Sequence, residues 1–124
     1  MSNLSLDFVL LFVESPAISK NFYTSLLGLE PIEESETFVL FSLPNNIQLG
    51  LWSRHSAEPK VFAQSGASEI AFTHKNGAEI YEKWCDQNIQ ILQHPTNMSF
   101  GRTFVALDPD GHRLRVFWPN EETC

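Results

Sequence analysis

The side chains best placed to do chemistry lie near the C-terminus, in FGRTFVALDPDGHRLRVFW from Phe100 to Trp118. Asp108-Pro109-Asp110-Gly111 separates two runs rich in β-branched and aromatic residues. The proline presets φ, the glycine supplies a positive φ, and the aspartates can accept from nearby backbone amides, so the stretch reads as a tight hairpin. In its second arm Arg113, Arg115 and Phe117 alternate with Leu114, Val116 and Trp118. One face is therefore core and the other carries charge. Arg115 is a permanent cation at mid-strand. Two roles are open to it: one half of a structural ion pair, or a planar fork that holds a carboxylate or polarised oxygen of a ligand.

Other chemistries find little support. His55, His74, His94 and His112 show no i, i+4 pairing; two lie in or beside loops and two at strand ends, which suits exposed or edge histidines better than ligands of a metal. No serine, cysteine or threonine occupies a nucleophile elbow, and neither G-x-G-x-x-G nor G-K-[ST] occurs. Cys85 falls in a predicted helix, where it is expected to pack, and Cys124 ends the chain. Two such cysteines make neither a disulfide framework nor a zinc pattern, so a reducing cytoplasm is the expected setting. The formal charge of −7, from 15 acidic against 8 basic residues without a Lys/Arg cluster, gives nucleic acid or an anionic membrane no footprint. The apolar run Phe8 to Val13 is far shorter than the ~20 residues of a membrane span, and no basic leader precedes it.

The elements that must position these residues read in order. With 124 residues the chain suffices for one core. Asp7 to Glu14 suits a strand buried on both faces. Ser15 can cap a helix from Pro16 to Leu27, with Ile18, Phe22 and Leu26 as its apolar stripe, Tyr23 and Leu27 beside them, and Gly28 as its stop. Strands are expected over Leu29 to Glu34, Thr37 to Leu43 and Ile47 to Trp52, the last two joined by a turn at Pro44-Asn45-Asn46. Ser53 to Gly66 is the linker. A strand over Ala67 to His74 then leads to a helix capped by Asn76, with Glu79 completing a capping box, Ile80, Tyr81, Trp84 and Cys85 as its apolar side, and Asn88 as its stop. Ile89 to His94 and the hairpin add three strands. Both halves thus read β-α-β-β-β: module 1 over residues 1–52, the linker over 53–66 and module 2 over 67–124. The fold class is α+β, a duplicated unit whose curved sheets each carry a helix on one face.

LLFVESPAISKNFYTSLLGLEP and GRTFVALDPDGHRLRVF, set in this duplicated order, resemble the opening and closing segments of the vicinal oxygen chelate superfamily. That superfamily includes glyoxalase I, extradiol dioxygenases and the bleomycin- and phenazine-resistance proteins. The resemblance covers essentially the whole chain and implies a single domain of paired βαβββ modules around a cavity, commonly as a homodimer. In the family's metalloenzymes four inward side chains hold the ion. Matched by motif, those positions fall on Phe8, Gly50, Glu69 and Arg115. One is apolar, one has no side chain and one is a cation, a set that cannot hold a divalent metal; Gln48, two residues from Gly50 on the same face, does not repair it.

The resemblance is nearest to the phenazine- and bleomycin-resistance branch, and with it the expected reading is a metal-free protein without cofactor that sequesters a small planar aromatic molecule. Phe8 and Trp52 share the parity of the matched positions, and Phe100 enters the hairpin. With Phe104 they are candidates for an apolar lining around Glu69 and Arg115. The rival reading is a lyase or isomerase with Glu69 as general base and Arg115 as oxyanion stabiliser.

Overall fold

Ser15 opens helix α1, Pro16–Leu27, by accepting the amide of Ile18 at 3.3 Å, and Gly28 closes it in the left-handed conformation with its N–H on the carbonyl of Thr24. Each is the chemistry that an exposed helix end requires: an oxygen for free amides, and a residue without Cβ where φ turns positive. The buried stripe keeps Tyr23 and Leu26 of the expected one but takes Ser19 in place of Ile18. Ser19, Tyr23 and Leu26 face the core, whereas Ile18 is exposed. Ile18 and Ser19 are neighbours on the helix surface, so a turn of one residue in the docking angle exchanges them.

The computed structural model describes residues 4–119. Strands β1 (Phe8–Val13), β2 (Glu33–Glu34), β3 (Phe38–Ser42) and β4 (Gln48–Ser53) join α1 in the first unit, which runs to Ala63. The second unit begins at Gln64 and holds β5 (Glu69–Thr73), α2 (Gly77–Asp86), β6 (Ile91–Met98), β7 (Gly101–Leu107) and β8 (Arg113–Trp118). The first sheet has the order β1-β4-β3-β2 and the second β5-β8-β7-β6, each with one parallel pair in an otherwise antiparallel sheet. The result is an α+β fold of two curved, open sheets. α1 packs on β3 and β4, and α2 on β6 and β8.

Several expected elements come out differently. β1 is buried on one face only: Leu11 and Val13 point to the helix side, while Phe8 and Leu10 are exposed. A continuous apolar run therefore does not mean two covered faces here. β2 is two residues long rather than six, since Leu29 to Ile32 make no ladder beyond the bond from Ile32 to Leu40. β6 is longer than expected, reaching Met98, because register shifts let it pass Pro95. Asn76 stands at the N-cap of α2 and its carbonyl accepts the Glu79 amide at 3.1 Å, but its side chain accepts no helix amide and instead donates to Glu79 at 3.5 Å, so the capping box is not closed. Asn88 follows α2 with a φ of 61°, the stop that its type favours. Cys85 is exposed rather than packed. Only Gly77 and Trp84 of α2 are fully buried. No described helix is long and apolar enough to cross a membrane.

Candidate functional site

Alternation along β8 holds as the sequence requires: Leu114, Val116 and Trp118 are buried, while Arg113, Arg115 and Phe117 share the opposite face. The hairpin that sets this register is pinned by Asp108, whose Oδ1 accepts the amides of Asp110 and His112 at 2.9 Å each. Gly111 sits at φ 85°, where a side chain would be strained. His112 is buried in this turn, against the expectation of an exposed or edge ring. The other three histidines are exposed.

Parallel pairing of β5 with β8 puts Glu69 beside Arg113 and Ala71 beside Arg115. Glu69 reaches across to both guanidinium groups. Its Oε2 accepts from Nε of Arg115 at 2.7 Å, and its Oε1 lies 3.0 Å from Nε of Arg113. The hydrogen bond from Arg115 holds the Glu69 carboxyl below its ordinary range against the opposing effect of burial, and the two positive charges add to it. Arg115 also donates from Nη1 to Oγ1 of Thr103 at 3.1 Å and to Oε1 of Gln93 at 3.4 Å. Thr103 in turn donates to the carbonyl of Val116, which fixes its hydroxyl as an acceptor for the guanidinium. Nη2 makes no hydrogen bond among the described residues, so part of the fork remains to be used. The ring of Phe100 lies 5.9 Å from the guanidinium carbon and meets Phe117 edge-on at 5.6 Å. A cation held this way beside aromatic rings can bind an oxyanion and a π-face together.

Of the expected site residues, Glu69, Arg115 and Phe100 come together. Phe104 does not. It lies under α2 and β8 against Tyr81, Trp84 and Trp118, fully buried, with Val116 as its strand partner. Partners in an antiparallel ladder share a face, so Phe104 is on the helix side, opposite Arg115. Phe8 and Trp52 belong to the first sheet. There Phe8 is half exposed beside Gln48, and Trp52 packs between Phe12 at 6.0 Å and Phe38 at 6.3 Å. Sequence reasoning missed Thr103 and Gln93. Thr103 pairs with Phe117 and Gln93 with Val105, the strand partner of Arg115, and only that cross-strand register brings their side chains to the guanidinium.

The positions matched to a metal site do not suit a divalent cation. Phe8 and Gly50 offer no donor, and Glu69 already spends both oxygens on cations. Among the described residues no three His, Cys, Asp or Glu side chains are grouped as a metal would require.

The chain is 29% identical over 113 residues to the phenazine antibiotic resistance protein EhpR of Enterobacter agglomerans, covering 86% of each chain. The solution structure of protein ATC0852 from Agrobacterium tumefaciens is 46% identical, with a TM-score of 0.82 over 93% of this chain and 97% of that one. A glyoxalase/bleomycin resistance protein/dioxygenase from Nocardioides shares the fold at 20% identity, with a TM-score of 0.81 over 99% and 88% of the two chains. The profile of one superfamily matches residues 5–116, strand β1 through Val116 of the Arg115-bearing strand. With that match spanning nearly all of both units, the chain belongs to the Glyoxalase/Bleomycin resistance protein/Dioxygenase superfamily.

Proposed function

We propose that this protein binds a small, flat aromatic acid and sequesters it, as a homodimer and without a metal ion. The observation that carries the reading is the state of Arg115. Glu69, Thr103 and Gln93 fix its Nε and Nη1, Phe100 flanks it, and Nη2 is uncommitted. A guanidinium held in advance loses little freedom when it takes a carboxylate. Similarity to a protein described as a phenazine antibiotic resistance protein supports a π-rich ligand.

The lyase or isomerase reading is the weaker one. A general base works best with a pKa near the working pH, and Glu69 is displaced in the other direction by its two arginines.

The test compares phenazine carboxylate with its methyl ester by thermal shift, since a ligand that binds the folded state raises Tm by mass action. The acid should stabilise the wild type, and Arg115→Met should reduce that shift far more for acid than for ester. Equal losses for both would leave Arg115 as no more than the structural partner of Glu69. Product formed from the bound acid would favour the enzyme.

A further inference from the structure

A cleft of about 580 Å³ opens in the second unit where β5 and β8 end. It is lined by Phe100, Phe117, Trp118 and Pro119 and by Thr73, His74 and Lys75. None of its described lining residues is acidic, although the chain as a whole carries a formal −7. Lys75 is exposed and makes no ion pair among the described residues. His74 accepts the amide of Asn76 on Nδ1 at 2.9 Å, so its neutral ring carries the proton on Nε2 and presents a donor there. Trp118, whose indole packs on the helix side, is held by two glycines. A Cβ at Gly77 would run into the indole, and one at Gly101 into the carbonyl oxygen of Trp118.

The cleft is continuous with the Arg115 group through shared rings. Phe100 lines it while flanking the guanidinium, and Phe117 meets Phe100 edge-on. Arg115 pairs with Ala71 and Phe117 with Thr73, so the cleft begins one pleat farther along the strands, about 7 Å. Lys75 lies two residues beyond Thr73 in the same direction of the chain. Two cations thus flank one aromatic surface.

We infer that the cleft receives a second acidic group of the ligand. The preferred ligand class is a flat aromatic diacid, with one carboxylate on Nη2 of Arg115, the other on Lys75 and the Nε2–H of His74, and its ring system along Phe100 and Phe117. This rests on the reading of Arg115 as a ligand anchor and adds a specificity-determining residue, Lys75, to it.

Calorimetric titration of naphthoate, and of a naphthalene dicarboxylate substituted at opposite ends, separates the two claims. In the wild type the diacid should bind about tenfold more tightly than the monoacid, the gain of one charge-assisted contact. Lys75→Met should remove that advantage and leave the monoacid unchanged. Arg115→Met should weaken both, and Lys60→Met, which alters charge outside the cleft, should change neither. Equal affinities of the two acids in the wild type, or an advantage that survives Lys75→Met, would overturn the second anchor while a bound, Arg115-dependent monoacid upholds the first. If neither acid binds, both claims fall.

Discussion

In the first sheet Phe8 stands beside Gln48 and Leu10 beside Gly50; in the second Glu69 stands beside Arg113 and Ala71 beside Arg115. Strand order and the parallel pair are the same in both units, so these are equivalent places in one design. The helix-facing sides also match in kind. Val39, Leu49 and Leu51 in one unit correspond to Phe104, Leu114 and Val116 in the other, all buried and apolar. The opposite faces diverge. The first is mostly apolar, with Leu10 and the tip of Phe38 filling the space over Gly50, whereas the second carries the Glu69, Arg113 and Arg115 cluster. Duplication kept what holds each sheet to its helix, and the face that no helix covers was free to change chemistry.

The shared helix side is where disruption should cost most. Phe104→Ala removes a fully buried ring from the contacts with Tyr81, Trp84 and Trp118 and should lower stability by about 3–5 kcal/mol. Urea denaturation measures this, and a loss under about 1 kcal/mol would mean that Phe104 is not core.

The divergence itself can be tested by moving one chemistry onto the other sheet. Gly50→Arg places a guanidinium at the position equivalent to Arg115, but a Cβ there already meets Leu10 at 2.6 Å and Phe38 at 2.9 Å, and its strand partners Leu10 and Leu40 offer no carboxylate. The expected loss is about 3 kcal/mol, from displaced side chains and an unpaired charge. Adding Phe8→Glu should return roughly 1 kcal/mol of it, since that position corresponds to Glu69 and is half exposed. If the double variant is no better than the single one, the two faces are not equivalent in register.

The smallest effect, and the most specific, is a dependence on pH. Because the folded Glu69 carboxyl titrates below its ordinary value of 4.5, its stabilisation is present above that value and disappears as pH falls through the lower folded pKa. Glu69→Gln should therefore cost a constant amount, roughly 1–2 kcal/mol, at pH above about 5. The difference from wild type should vanish in strong acid. A gap that stays constant into strong acid would show that charge on Glu69 is not what holds the cluster.

Local chemistry made much of the fold legible. Ser15, Pro16 and Gly28 fix the ends of α1 whatever surrounds it, and Asp108 and Gly111 fix the hairpin, because the partners they need lie within four residues. Phe104 was less legible. Its neighbours Val105 and Ala106 are apolar too, so no alternation marks which of them faces the helix, and all three are buried. Cys85 and Ile18 fail for a related reason: an apolar side chain on a helix surface does not say which neighbour the docked sheet will cover.

The sequence by itself determined the duplicated order of elements, the caps of α1, the hairpin and the parity that makes Arg115 share a face with Arg113 and Phe117. Those follow from interactions between residues close along the chain, or from the period of two in a strand. Tertiary structure alone decided that Glu69 holds both arginines at once, that Thr103 and Gln93 fix the guanidinium, and that Phe100 rather than Phe104 stands beside it. These contacts join residues 12 to 46 positions apart, and only the register of paired strands brings such residues into line.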